Sequence, residues 1–276
     1  EFMNPSGSTK DRIARYILEK AWRNGELAPG GTAIEASSGS TSIAMALACA
    51  QLGFRFIAVL NEGVSRERLL TIRSFGGEIV AVPKSAGIAG AIAEAARIAR
   101  ERGCFYARQF ENPDNAEAHR VWTGQEILAQ LDGRCIDAVV SGVGTGGTIV
   151  GLYRAFEEAG CRAVPFVARP VTGAATRDVE CSSFSSRVPG VVECASKIYR
   201  EANLPGAVEL DVDDDLALET TRRLHARGFP VGPSSGLNYA AAVAAARRLG
   251  PDSTVVTVFP DRMERYFSTE LFQPAT

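Results

Sequence analysis

Two periods alternate along the chain. Apolar positions recurring at three- and four-residue intervals predict helices over Asp11–Asn24, Thr41–Leu52, Ser65–Phe75 and Gly87–Arg102. The same spacing predicts helices over Ala116–Leu131, Gly147–Ala159, Asp214–Arg227 and Leu237–Leu249. Between them lie short, almost wholly apolar runs: Phe56–Leu60, Ile79–Val82, Ala138–Val140, Pro165–Ala168 and Val255–Phe259. Runs of that kind suit parallel strands covered on both faces. Strand and helix alternating throughout predicts an α/β fold with right-handed crossovers. Asp213 is placed to cap the helix that follows, and Asp214 and Asp215 complement its dipole, which explains the acidic triplet more simply than a metal site does. Gly53, Gly76-Gly77, Gly103 and Gly228 stand where helices stop. Residues Thr172–Gly206, rich in Ser, Gly and Pro without clean periodicity, are expected to form a loop beside a functional site or a mobile segment.

Composition narrows the picture. With 276 residues, 46% of them hydrophobic, the chain has material for two lobes and their cores. A net charge of −2 argues against a nucleic-acid surface or an anionic membrane partner. The longest apolar stretch, Ile34–Leu52, is interrupted by Ser and Gly and falls short of a bilayer span, and no signal peptide is visible. Glu1-Phe2-Met3 reads as the middle of a domain, behind either a cloning scar or a missing N-terminal segment. Cys49, Cys104, Cys135, Cys161, Cys181 and Cys194 are scattered, which suits reduced thiols and a cytoplasmic setting. With only His119 and His225, far apart in sequence, a zinc site or a histidine triad lacks raw material, so no metal is expected.

Four polar, glycine-bearing segments fall at strand or helix boundaries, where ligands bind in open α/β sheets. The first is Asn4-Pro5-Ser6-Gly7-Ser8-Thr9-Lys10-Asp11-Arg12. An ammonium at a helix start opposes the macrodipole, so Lys10 is either an incidental surface residue or an amine held for chemistry such as Schiff-base formation with a carbonyl cofactor. The second, Glu35-Ala36-Ser37-Ser38-Gly39-Ser40-Thr41-Ser42, carries more hydroxyls than a cap needs and suits a carboxylate or phosphate at a helix N-terminus. The third, Ser141-Gly142-Val143-Gly144-Thr145-Gly146-Gly147-Thr148, follows a predicted strand and precedes a helix, which is phosphate-cradle architecture. Gly142, Gly144 and Gly147 also satisfy a dinucleotide fingerprint, but the following strand ends in Arg169 where that fingerprint wants an acid, and two threonines suit one terminal phosphate better than a bare pyrophosphate loop. The fourth is Gly232-Pro233-Ser234-Ser235-Gly236, which could equally be a cap with turn residues.

Together, and in this order, the four segments resemble the fold type II pyridoxal-phosphate enzymes of the cysteine synthase and cystathionine β-synthase family, which are tryptophan synthase β-like. The likeness runs the length of the chain, to the ending Asp261-Arg262-Met263-Glu264-Arg265-Tyr266-Phe267-Ser268-Thr269. It implies two open α/β lobes with mostly parallel sheets. A smaller, mobile substrate-loop domain would cover 1–114 and a larger cofactor-phosphate domain 115–276, with the active site between them. It further implies that Lys10 anchors pyridoxal 5'-phosphate and moves the Cα proton. Ser40, Gly144, Thr145, Gly146, Gly147 and Thr148 would hold the cofactor, and Ser234 would face its ring nitrogen. Ser37, Ser38, Gly39, Thr41 and Gln109 would receive the substrate carboxylate. The implied activity is β-replacement on an activated serine of the O-acetylserine or O-phosphoserine type through an aminoacrylate. A sulfide, thiol or other small nucleophile would give cysteine or a related β-substituted alanine in a cytoplasmic homodimer.

The chain departs from the family pattern at three places. Ser40 stands where asparagine is usual, Pro189-Gly190-Val191-Val192 where a glycine-rich loop is usual, and Arg169 where an acid precedes proline. Ser40 and Val192 bear on which donor and nucleophile fit, and are compatible with a thiol lyase or a specialised β-synthase. The alternatives are β-elimination of the cysteine desulfhydrase or serine/threonine dehydratase type, an NADP-dependent oxidoreductase built on Gly142–Gly147, and an inactive regulatory relative.

Overall fold

The computed structural model describes residues 1–171, 185, 187–188, 191 and 196–272. Helix α1 (Lys10–Arg23) precedes a first β/α series. That series is β1 (Thr32–Ala36), α2 (Ser40–Leu52), β2 (Arg55–Asn61), α3 (Arg66–Ser74), β3 (Glu78–Val82), α4 (Gly87–Arg102) and β4 (Phe105–Tyr106). A helical stretch links the halves: α5 (Asp114–Ala118), a π turn (His119–Thr123) and α6 (Gly124–Gln130). The second series is β5 (Ala138–Gly142), α7 (Gly147–Glu158), β6 (Val164–Val171), α8 (Lys197–Glu201), β7 (Val208–Asp213), α9 (Asp214–His225), α10 (Pro233–Leu249) and β8 (Val255–Thr257). Its strands and those of the first series form two four-stranded sheets, ordered β3-β2-β1-β4 and β7-β6-β5-β8, with every pairing parallel. This is the α/β architecture that the alternation predicts, arranged as the two open, parallel sheets that the family resemblance implies.

The apolar stripes explain the packing. Ile13, Ala14, Ile17, Leu18 and Ala21 bury one face of α1 against α2 and the first sheet, where Met45, Phe56, Leu60 and Ile72 complete the core. Fully burying each larger aliphatic side chain stabilises the fold by roughly 1.5–3 kcal/mol. Two further clusters sandwich the second sheet, one with Val139, Ile149, Phe156 and Val167, the other with Val140, Phe166, Leu210 and Leu237.

Several boundaries differ from the sequence reading. Strand β1 is hidden at the start of the apolar run Ile34–Leu52, β4 has only two residues, and β7 alternates buried Leu210 and Val212 with exposed acids as an edge strand does. Ala116–Leu131 is not one regular helix, because the π turn adds a residue to the winding at His119–Thr123. Helix α10 starts at Pro233, four residues before the periodic pattern, because proline at the first helical position costs no hydrogen bond. Asp213 caps α9 as expected, its carboxylate accepting the Asp215 N–H at 2.8 Å. Most of Thr172–Gly206, together with Cys181, Cys194, Pro189, Gly190 and Val192, lies outside the described residues.

Candidate active site

The C-terminal ends of both sheets open onto one cleft of about 940 Å³, part of it in contact with solvent. Lys10, Ser38, Ser40, Thr41, Gln109, Gly144, Thr145, Gly146, Thr148 and Ser234 all line it. Ser37, Gly39 and Gly147 do not.

The loop before α1 is laced to the C-terminal segment. Thr9 N–H donates to the Pro260 carbonyl at 2.7 Å, and Arg262 N–H to Gly7 at 3.1 Å. Gly7 takes φ +78°, where a side chain would also meet Arg262. Asp11, in the first helical turn, supplies the negative charge the dipole favours and accepts the Ser6 N–H at 2.6 Å. The Lys10 side chain has no hydrogen bond or ion pair among the described residues. Enclosure by protein pushes its pKa down to about 8, against the opposing pull of the Asp261 carboxylate. At that value an appreciable fraction is the free, nucleophilic amine near neutral pH.

In the hydroxyl run, Ser37 turns inward. Its Oγ lies 2.6 Å from Ser42 Oγ and accepts the Gly39 N–H at 3.0 Å, which shapes the loop instead of facing the cleft. Gly39 sits at φ +131°, where a Cβ would overlap Arg68. Thr41 Oγ1 donates to Gln109 Oε1 at 2.6 Å, and Gln109 donates through Nε2 to the Ala36 carbonyl at 2.5 Å. Two residues 68 positions apart thus share one wall of the cleft. Behind them Glu35 is fully buried, accepting the N–H groups of Ala36 and Gln109 at 2.8 and 2.9 Å. Burial outweighs those donors and pushes its pKa up to about 8.

The third segment wraps the N-terminus of α7. Gly146 caps that helix in the left-handed region at φ +78°. Thr145 Oγ1 accepts from Asn115 Nδ2 at 2.9 Å, and its carbonyl accepts the Ser196 hydroxyl at 2.7 Å. Gly147 is off the cleft because it packs directly on Asn115, where a Cβ would collide. Thr148 Oγ1 lies 3.2 Å from His119 Nε2, and His119 Nδ1 lies 3.0 Å from Thr123 Oγ1. Burial drives the His119 pKa down to about 3, so the imidazole is neutral. Ser234 is in the first turn of α10, and its hydroxyl has no partner among the described residues.

Sequence reasoning missed Asp261, Asn115, His119, Asn238 and Arg68. Asp261 had the one usable signal, a single acid directly after the apolar run Val255–Pro260, at the C-terminal end of a parallel strand. The others act through partners distant in sequence, as when Asn238 Oδ1 accepts the Gly142 N–H at 2.8 Å.

Comparison with known proteins places this geometry. Residues 1–261 match the family described as pyridoxal-phosphate dependent enzymes. The chain belongs to that family. It is 38% identical to a cysteine synthase of Staphylococcus aureus over 99% of its own length and 87% of the relative's. It is 35% identical to the O-ureido-L-serine synthase of Streptomyces lavendulae over 99% of its length and 83% of the relative's. Among solved structures, a hydrogen sulfide-producing enzyme of Fusobacterium nucleatum, in complex with an α-aminoacrylate intermediate, superposes with a TM-score of 0.90 at 34% identity, covering 98% of this chain and 81% of the other. The fold type II architecture and the dependence on pyridoxal phosphate follow, and the oxidoreductase reading is set aside. Arg169, which that reading would have assigned to a 2′-phosphate, pairs with Glu209 at 2.5 Å and Asp211 at 2.7 Å on β7.

The residues present fit this cofactor. A primary amine without a hydrogen-bond partner among the described residues matches its aldehyde. A helix N-terminus with two threonine hydroxyls matches its phosphate, and the Ser234 hydroxyl, unpartnered among the described residues, remains for its ring nitrogen. Among the described residues no cluster of acids, cysteines and histidines is arranged to hold a metal, and no helix is long and apolar enough to cross a membrane.

Proposed function

We propose that this chain catalyses β-replacement on an activated serine of the O-acetylserine or O-phosphoserine type, giving cysteine or a related β-substituted alanine. The observation that carries the reading is the Lys10 side chain, without a hydrogen-bond partner among the described residues, on the same cleft as the Thr41–Gln109 pair and the Gly144–Thr148 loop. When bound, pyridoxal phosphate supplies the electron sink that lets the Cα proton and the β-substituent depart. Gly144, Thr145, Gly146 and Thr148 would hold the phosphate, and Gly147 lets Asn115 approach closely enough to fix Thr145. Ser234 would face the ring nitrogen as a neutral hydroxyl, which could not keep that nitrogen protonated as a carboxylate would, and so would favour loss of a β-substituent over amino transfer. Ser38, Thr41 and Gln109 bind the substrate carboxylate, with Ser37 and Gly39 shaping the turn that presents them, and Ser40 orients the cofactor side. Lys10 takes the Cα proton, its pKa near working pH suiting a base.

β-Elimination of the cysteine desulfhydrase or serine/threonine dehydratase type is the second reading, favoured by the likeness to the hydrogen sulfide-producing enzyme. We also assign 1–114 to a smaller, movable lobe and 115–276 to a larger one, a division supported by one sheet lying in each. The resemblance supports a homodimer, for which light scattering is the test, and a cytoplasmic setting.

The deciding experiment is borohydride reduction of protein loaded with pyridoxal phosphate, followed by peptide mapping. A label on Lys10, lost in Lys10→Ala, is expected, and a protein that takes up no cofactor overturns the reading. Supplying O-acetylserine, O-phosphoserine, serine and cysteine in turn, with sulfide or a thiol, should yield a β-substituted alanine. Pyruvate and ammonia regardless of nucleophile would establish elimination instead.

A further inference from the structure

Asp261 belongs to none of the segments to which a role has been given, yet they converge on it. It is buried and lines the cleft. Its backbone forms an antiparallel bridge with Ser8 and accepts the Gly232 N–H at 2.9 Å, so the residue is stitched between the Lys10 loop and the Ser234 loop. Ser40 Oγ donates to Oδ2 at 3.0 Å, and the Tyr266 hydroxyl donates to the same oxygen at 2.7 Å. Oδ1 is buried with no hydrogen-bond partner among the described residues. Gly232 leaves room for that oxygen, which a Cβ there would overlap.

We propose that Asp261 is a positioning residue that holds the charge of Lys10 and the direction of the Ser40 hydroxyl, and so sets the state in which the lysine meets an aldehyde cofactor. The proposal rests on the pyridoxal-phosphate reading of the cleft and deepens it. Two hydroxyl donors on Oδ2 fix the carboxylate in place, and Oδ1 adds no further hydrogen bond among the described residues. Ser40, with its proton committed to Asp261, offers lone pairs to the cleft and takes a donor from whatever binds there.

The other charged and titratable groups around this point are few. Lys10 approaches from α1. Arg68 approaches from α3, its guanidinium 4.8 Å over the Tyr266 ring. Arg265 is spent on the carbonyls of Ser6 and Gly7, the latter at 2.9 Å. His119, from the π turn, is neutral, and Tyr266 stays protonated because burial and the Asp261 charge push its pKa up. Among the described residues, Asp261 is therefore the negative group that acts on Lys10, and its effect is to favour the ammonium.

The test is competitive acylation with acetic anhydride across a pH series, on protein freed of bound cofactor by hydroxylamine so that the Lys10 amine is accessible to the reagent, reading Lys10 by peptide mass spectrometry. Asp261→Asn should move the Lys10 midpoint down by about one pH unit, giving roughly tenfold more free amine below the wild-type midpoint. Tyr266→Phe, which keeps the charge, should leave the midpoint in place. Asp261→Ser, which keeps a hydrogen-bonding group without charge, is the second variant. A midpoint unmoved in both Asp261 variants overturns the proposal, as does failure of both to fold, which would make the residue purely structural. A parallel cofactor-uptake assay separates the two levels. No borohydride label on Lys10 overturns the cofactor reading even if the midpoint shifts, and an unmoved midpoint in protein that takes up cofactor overturns only the role of Asp261.

Discussion

The imidazole of His119 bridges two hydroxyls, Thr123 at 3.0 Å and Thr148 at 3.2 Å, and so ties a residue of the phosphate loop to the helical linker. A neutral ring can donate from one nitrogen and accept at the other, which satisfies both contacts. Burial holds its pKa at about 3, well below the value near 6.5 of the unfolded chain. Between those values the unfolded chain binds the extra proton, so this group's contribution is fully present above pH 6.5 and is lost as pH falls. From pH 6.5 to 5.5 the wild type should lose about 1 kcal/mol more than His119→Gln, read from urea unfolding at the two pH values. Equal losses would mean that the ring protonates in place. Lys10 could be singled out from sequence because its charge conflicts with the helix dipole, a property of one residue and its neighbours. His119 could not, because its two threonines become partners only after a π turn and a helix crossing have formed.

That crossing is made by glycines. Helix α7 lies so close to the linker that a Cβ on Gly151 would overlap the Ala116 carbonyl and come within 2.6 Å of the His119 Cβ. Gly124 approaches Ala155 in the same way, and Gly147 approaches Asn115. Overpacking at a backbone contact cannot be relieved by a rotamer change, so Gly151→Ala should destabilise by about 2 kcal/mol or more. Thermal or urea unfolding reads this directly, and a variant as stable as the wild type would show that the helices can part without cost. The apolar stripe of α7, through Ile149, Val150, Leu152 and Phe156, made the helix itself legible in the sequence. Its distance from a neighbour was not legible, since a glycine within a periodic run looks the same whether it faces solvent or another backbone. The π turn stayed hidden for a related reason, because one inserted residue barely disturbs a pattern read over Ala116–Leu131.

At the scale of the molecule, the order of the four segments was readable, but their convergence depends on two parallel sheets presenting their C-terminal ends to one cleft. A ligand that engages Lys10 and the Gly144–Thr148 loop together holds the two halves to each other, since Lys10 opens the helix packed on the first sheet and the loop follows a strand of the second. Such a ligand binds only when both halves are folded, so free cofactor at a hundredfold over its Kd stabilises the native state by about 2.7 kcal/mol. Two buried thiols report on the halves separately, Cys49 in α2 and Cys161 after α7. Pyridoxal phosphate should slow labelling of both by a common factor, approaching ~100-fold where labelling follows global opening. Inorganic phosphate, which matches the loop alone, should protect Cys161 more than Cys49. In Lys10→Ala, pyridoxal phosphate should behave as inorganic phosphate does, because the loop still binds and the amine no longer joins the halves. Protection of Cys161 alone by pyridoxal phosphate in the wild type would mean that the cofactor sits on one half only, and that the cleft closes without it.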